Sequence, residues 1–288
     1  MSHSSSIPQK SIPLNIAALS SEMQLAAEAA WRAGELIRNG YTQLQQIESK
    51  GVGDLVSEID RQADEQATQV LQQDQAQRPI LSEELSPELS GNADDLWIVD
   101  PLDGTSSFLF KTGPSYSSVL IALRKNGITE LGVVYFPVTQ EWFYAEQGKG
   151  AFRGETRIES SQTCTLSEGW VELNHYGDSS FETDTFQTLR TNLRTSAGAK
   201  LVTQNAAYSG VAARIADPDT MLVAAVHDNN PSSVKQAAWD IAAPQCILEE
   251  AGGVFSTING GNVDPFVAEP FIVAANQNVA DSILCLLE

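Results

Sequence analysis

An apolar run that ends in two aspartates dominates this sequence. Leu96-Trp97-Ile98-Val99 has the length and composition of a buried strand, and it delivers Asp100 at its end, followed by Pro101, Leu102, Asp103, Gly104 and Thr105. Two acids three residues apart meet at one point if the backbone turns sharply between them. Pro101 restricts the chain there and Gly104 permits the turn. The Leu102 carbonyl would add a third hard oxygen, and an all-oxygen cluster suits Mg²⁺. If a helix or tight turn starts at Thr105, the N–H groups of Gly104 and Thr105 face outward, where they would bind an anion such as a phosphate oxygen. Taken alone, the string also reads as a surface turn capped by aspartates.

Three other acidic segments change that weighting. Ser82-Glu83-Glu84 follows the apolar pair Ile80-Leu81, so its acids lie just beyond a strand end. Trp239-Asp240-Ile241-Ala242-Ala243 sets one acid at a helix start in an otherwise apolar stretch, and Asp54 to Asp60 supplies another helix start. An N-cap is the plain alternative for the acids at both helix starts.

Elsewhere the pattern is mixed. Ser21 and Gln24 form a candidate capping box, followed by Leu25, Ala29, Ala33, Leu36 and Ile37 at helical spacing, with Gly40 as a stop. A second helix is predicted from about Asp60, and strands over 119–123, 132–136 and 142–145, with a glycine-punctuated turn over 148–154. The second half predicts strands at 170–173, 221–226 and 271–274, and helices at 181–193, 240–250 and 278–287, with Gly252-Gly253 ending the second of these helices. Strands and helices without strict alternation imply layered sheets with intervening helices.

Composition sets the bounds. The chain has 288 residues, 42% apolar and 19% charged, enough for a substantial core. No apolar run reaches the roughly 20 residues of a membrane span, and Met1 to Leu14 reads as a disordered lead-in without a secretion signal, which favours the cytoplasm. A net charge of −20 disfavours nucleic acid and anionic membranes as partners. It also repels phosphates unless cations intervene. Cys164, Cys246 and Cys285 read as buried free thiols, and His3, His175 and His227 are too scattered for a zinc site.

With these four segments in order, the chain resembles the inositol monophosphatase-like, lithium-sensitive phosphatases. Asp100 to Phe108 fits the family's D-P-[IL]-D-G-T-x-[NS]-F signature and Trp239 to Ala243 fits W-D-x-A-[AG]. The Glu83-Glu84 pair and the Asp54-Leu55-Val56-Ser57 segment ending at Asp60 stand in sequence, and Gly132 to Pro137 and Gly148 to Ala151 resemble scaffold elements. The resemblance implies a mixed α+β fold, a layered αβαβα sandwich. It also implies an N-terminal α+β subdomain over 15–155 and a C-terminal α/β subdomain over 156–288, after the lead-in at 1–14.

The same resemblance implies a phosphomonoesterase acting on a small phosphorylated substrate, with a homodimer as the assembly. Glu83, Asp100 and the Leu102 carbonyl would hold one Mg²⁺, and Asp100, Asp103 and Asp240 a second. A third ion near Glu83 is conceivable. Thr105 and Asp60 would orient and activate the attacking water, with Glu83 counted among the catalytic groups. Gly104, Thr105 and Asp240 would contact the substrate.

The substrate-selecting half departs from the pattern. The stretch nearest to the family's G-[ST]-A-[AG] segment is Arg194 to Lys200, and Ser233 stands where inositol-selective members place a glutamate. Lys50, in a glycine-flanked loop, and Arg190, Arg194, Lys200, Lys235, His175 and Tyr176 are further candidates for substrate contact, each with a plain surface reading beside it. Inositol monophosphate or a related polyol phosphate leads as substrate. Alternatives are 3′-phosphoadenosine 5′-phosphate, fructose bisphosphate and histidinol phosphate. From other classes, a regulatory homologue with little chemistry and a non-enzymatic metal-binding module compete.

Overall fold

The computed structural model describes residues 12, 14–15, 18–43, 47–51, 54–88, 94–113, 117–174, 184–202, 208–227, 238–267 and 269–287. Helix α1 (Ser21–Gly40) is capped by Ser20, whose Oγ accepts from the Met23 N–H at 3.2 Å. The cap therefore sits one residue before the Ser21 box read from the sequence. Strands β1 (Ile47–Gly51) and β2 (Asp54–Ser57) form an antiparallel hairpin. Lys50 thus lies in a strand, not in a loop, and its side chain is outside the described part. Helix α2 (Glu58–Leu71) starts two residues before the expected position because Ser57 and Asp60 close a capping box around its first turn.

A seven-stranded sheet follows in sequence order: β3 (Ile80–Ser82), β4 (Leu96–Asp103), β5 (Ser118–Lys125), β6 (Ile128–Phe136), β7 (Glu141–Glu146), β8 (Gly150–Arg153) and β9 (Thr156–Ile158). Only the β3–β4 pair is parallel. The short helix α3 (Thr105–Phe110) leaves the end of β4. The stretch 148–154 is only in part a turn, since β8 occupies residues 150–153.

A five-stranded sheet, ordered β11-β10-β12-β14-β13, is built from β10 (Trp170–Asn174), β11 (Lys200–Val202), β12 (Leu222–His227), β13 (Val254–Thr257) and β14 (Phe271–Ala274). The helices of this half are α4 (Asp184–Thr195), α5 (Tyr208–Ile215), α6 (Ala238–Glu250) and α7 (Gln277–Leu287).

Apolar alternation on the strands dictates the layers. On β4, Trp97 and Val99 pack with Ala26, Ala30, Ile37, Ala67 and Leu71 of α1 and α2. Leu96 and Ile98 face the other way, into a core with Ala212, Ile241, Ala242 and Ile247 of α5 and α6. The far face of that layer meets the five-stranded sheet, whose outer surface packs Leu189, Leu193, Val279 and Ile283 of α4 and α7. The order is helices, sheet, helices, sheet, helices: the αβαβα sandwich.

Helix α6 is seated on the first sheet by two contacts. A Cβ on Gly132 would lie 2.4 Å from the Ala243 carbonyl oxygen, so only glycine lets the α6 backbone approach β6 this closely. At the other end, Glu250 accepts the Gly148 and Gly150 N–H groups, each at 2.8 Å, tying α6 to the turn before β8. Of the cysteines, only Cys246 is buried; Cys164 is intermediate and Cys285 exposed, contrary to the reading of three buried thiols. Among the described residues, no helix is long and apolar enough to cross a membrane.

Candidate metal centre

The two aspartates of β4 meet through a bulge within the strand. Asp100 pairs with Leu120 and Asp103 with Ser118, so three steps on β4 match two on β5. In a regular strand, residues three apart point to opposite faces. One extra residue returns Asp103 to the face of Asp100, the face turned toward α6. Pro101 fits an irregular stretch of ladder because it has no N–H to place. The Asp100 Oδ1 accepts the Leu102 N–H at 2.9 Å and so pins the bulge with its own side chain. The sharp turn expected between the acids is thus a one-residue slip in strand pairing. The turn proper comes at Gly104, with φ +79° and ψ +38°, a left-handed conformation that a glycine adopts freely.

Asp240 arrives from the other half. Strands β12 and β13 both run antiparallel to the β14 between them, so they are parallel to each other. The helix joining them, α6, therefore begins at the carboxyl edge of the five-stranded sheet, as such crossover helices do. Asp240 lies in its first turn, and the Gly132 contact sets the depth of that turn over β4. Carboxylate oxygens of Asp100, Asp103 and Asp240 fall within 4.8 Å of one another.

Asp100 and Asp103 are buried, at 1% and 4% exposure. Burial, and then the charges of Glu83, Asp103 and Asp240, push the Asp100 carboxyl well above the usual carboxylate range. Glu83, partly buried, is thus close enough to act on Asp100, although it does not join the tightest trio. Crowded, buried carboxylates that raise one another's energy are the donor set that a hard divalent cation relieves. These residues fit Mg²⁺.

Beside the trio stands a hydroxyl–carboxylate pair. The Thr105 Oγ1 lies 2.9 Å from the Asp60 Oδ1 and 3.0 Å from the Leu102 carbonyl oxygen. The single hydroxyl proton goes preferentially to the stronger, charged acceptor. The other Asp60 oxygen, Oδ2, accepts the Ser57 N–H at 2.8 Å and the Ser57 hydroxyl at 2.5 Å. Ser57, not Asp60, is therefore the N-cap of α2; Asp60 stands at the third helical position, where it closes the capping box and also reaches Thr105. Burial raises its carboxyl above the ordinary value, against the pull of the Ser57 and Thr105 hydrogen bonds.

The structure gathers Asp60, Thr105, Leu102, Asp100, Asp103, Asp240 and Glu83 around the end of β4. Arg190, Arg194 and Lys200 lie elsewhere. Strand β11 begins at Lys200 and runs parallel to β10 and β12, so the stretch 194–199 enters the sheet at its amino edge, opposite the edge where Asp240 stands. Ser196 and Ala197 line a hollow there with Thr165, Ser167 and Cys285. Resemblance of composition to a substrate segment is overruled by strand direction. His175, Tyr176, Ser233 and Lys235 fall outside the described residues. Sequence reasoning does not single out for the site Gly132, which seats α6 on β6, or Asp64, which follows Asp60 by one helical turn. A glycine inside a strand pattern is a signal of close backbone approach, and an acid one helical turn after Asp60 shares its face.

Comparison with known proteins agrees with this geometry. The Nus factor SuhB of Escherichia coli K12 is 32% identical over 267 residues, covering 91% of this chain and 94% of that protein. A fructose-1,6-bisphosphatase/inositol-1-monophosphatase of Thermotoga maritima is 32% identical over 237 residues, covering 82% and 84%. The crystal structure of the extragenic suppressor protein SuhB from Bartonella henselae superposes with a TM-score of 0.81 at 28% identity, covering 93% of this chain and 99% of that one. The family model matches residues 19–288, nearly the whole length and all the segments gathered at the β4 end, and the chain belongs to the inositol monophosphatase family.

Proposed function

We propose that this protein is a Mg²⁺-dependent phosphomonoesterase that hydrolyses a small phosphorylated alcohol or sugar by direct in-line attack of water. The observation that carries the reading is the juxtaposition of a buried carboxylate trio with the Thr105–Asp60 pair at one strand end. Uncatalysed phosphomonoester hydrolysis is among the slowest reactions in biology, so strong electrostatic stabilisation is required. Bound Mg²⁺, held by Asp100, Asp103 and Asp240 at one position and by Asp100, Glu83 and the Leu102 carbonyl at a second, would neutralise phosphoryl charge and make water acidic enough to react at neutral pH.

The protein's own groups do the rest. Thr105, donating its proton to the Asp60 Oδ1, keeps an oxygen lone pair with which to accept a proton from the attacking water and so aim it. As Thr105 takes the water's proton it passes its own to the Asp60 Oδ1; Asp60, its carboxyl raised by burial and its second oxygen held by Ser57, is the final proton acceptor. The first N–H groups of α3 have no acceptor within the helix, and with Gly104 they form a cradle for the phosphate oxygens. Asp240, at the amino end of α6, would also meet a substrate hydroxyl.

Inositol monophosphate or a related polyol phosphate is the leading substrate, with fructose bisphosphate beside it; the name of the Thermotoga maritima relative supports both. A second reading is a transcription-associated role with weak chemistry, favoured by the Nus factor name of the Escherichia coli relative. The test is a phosphate-release screen over inositol 1-phosphate, fructose 1,6-bisphosphate, 3′-phosphoadenosine 5′-phosphate and histidinol phosphate, with Mg²⁺, without it, and with added Li⁺. Mg²⁺-dependent release that Li⁺ suppresses is expected from at least one compound. Turnover of none would favour the second reading.

A further inference from the structure

Helix α2 carries a second buried carboxylate that the chemistry above does not use. Asp64 follows Asp60 by one helical turn, about 6 Å along the axis, and is 0% exposed. Its Oδ2 accepts the N–H of Glu84 at 3.0 Å and of Leu85 at 3.1 Å. These amides belong to the turn that leaves β3 and presents Glu83. The Glu83 N–H itself donates to the Val99 carbonyl at 3.2 Å, the residue just before Asp100. The Glu83 segment is therefore pinned twice: to β4 through its own amide, and to α2 through the next two.

The same helix face serves both sides of the site. Asp60 reaches Thr105 at the β4 end, and Asp64 reaches the Glu83 turn, so the spacing between these two segments is set by one rigid turn of α2. Packing alone does not call for an acid at position 64, because Ala63, Ala67, Val70 and Leu71 already fill the core side of the helix. A carboxyl group without exposure is costly to bury, and Asp64 offsets that cost through Oδ2, since its Oδ1 has no hydrogen-bond partner among the described residues. Two amide donors to one carboxylate oxygen are strong, directional contacts.

We infer that Asp64 is a positioning residue for the Glu83 arm of the metal centre: it fixes the 84–85 backbone so that the Glu83 carboxylate stays beside Asp100, and so sets the affinity for one divalent cation. The inference rests on the metal reading of the carboxylate cluster.

The test is direct titration of the full-length protein with Mn²⁺, read by the loss of the free-ion electron paramagnetic resonance signal, together with melting temperatures. Asp64→Ala weakens Mn²⁺ binding by about tenfold or more, the usual scale for loss of a group that orients a ligand. Asp64→Asn, which keeps an oxygen for the two amides, recovers most of the affinity. Asp74→Asn is the structural control. Asp74 stands beyond the far end of α2, accepting the Trp97 Nε1–H at 3.1 Å and pairing with Arg78 at 2.9 Å, so its loss lowers the melting temperature and leaves Mn²⁺ affinity unchanged.

Unchanged affinity in Asp64→Ala, or equal weakening in Asp74→Asn, overturns the inference. If Asp64→Ala does not fold, Asp64→Glu decides: it keeps the charge but displaces the amides, and wild-type affinity in that variant overturns the inference too. Absence of Mn²⁺ binding by the unaltered protein would overturn the metal reading itself, and the inference with it.

Discussion

The two sheets contribute to the site in opposite ways. The seven-stranded sheet supplies Asp100 and Asp103 from one bulged strand end, with Thr105 from the start of α3 and Glu83 from the turn after the neighbouring strand; α2 holds Thr105 and the Glu83 turn. The five-stranded sheet contributes Asp240 at the head of α6. The first region is local, buried and held by short hydrogen bonds. The second reaches the site through the first turn of one crossover helix. Three of the four crowded acids, Glu83, Asp100 and Asp103, thus come from one sheet and its flanking turn, and the fourth, Asp240, from the other.

This contrast can be broken most severely at Asp100. Asp100→Asn removes turnover while stabilising the metal-free protein. The Asp100 carboxyl is held above its ordinary value by burial and by Glu83, Asp103 and Asp240. The metal-free fold therefore loses stability as pH rises from the ordinary carboxylate range toward the raised one, whereas an amide escapes that loss. The melting temperature of chelated Asp100→Asn should exceed that of chelated wild type, by more at pH 8 than at pH 4. A lower value would contradict the crowded-carboxylate account.

Thr105→Ala comes next, with kcat reduced roughly a hundred- to a thousandfold and KM little changed, as for loss of a proton-handling group. A change confined to KM would move Thr105 from aiming water to binding substrate.

Gly132→Ala tests how the second region is docked on the first. Its new Cβ meets the Ala243 carbonyl, and overpacking of this kind costs about 1–3 kcal/mol. By lifting Asp240, it also raises the Mg²⁺ concentration for half-maximal activity. Thermal destabilisation without a shift in Mg²⁺ dependence would show that Asp240 tolerates displacement.

The smallest effect on turnover belongs to Glu172, on β10 in the five-stranded sheet. It is 4% exposed, with an Oε1 that has no hydrogen-bond partner among the described residues, and burial raises its carboxyl from 4.5 to about 8. Folded protein keeps this proton while unfolded chain releases it, so wild type loses stability as pH rises between those values. Glu172→Gln should leave kcat unaltered and grow steadily more stable than wild type across that window, levelling off above about 8. A pH-independent difference in denaturant midpoint would remove the buried-acid explanation.

What was legible in the sequence follows the same division. The acids could be read because each sits in a contiguous string whose local structure places it: Asp100 at a strand end, Asp240 at a helix head, Asp60 at a helix start. The bulge at Pro101 and Leu102 could not, because a one-residue slip is a property of how β4 pairs with β5. Asp64 looks like any solvated helix acid until the β3 turn lands on it. Arg194 to Lys200 shows the reverse failure: its composition pointed to substrate, but only the parallel run of β10, β11 and β12 reveals which edge it enters.

The most direct measurement is phosphate release from the best substrate of the screen by wild type and Asp103→Asn, each with saturating Mg²⁺ and after chelation. Release by wild type that falls to background on chelation, and by at least about a thousandfold in Asp103→Asn, is the predicted result. Release that survives chelation, or an Asp103→Asn protein as active as wild type, would contradict catalysis by metal held at the end of β4.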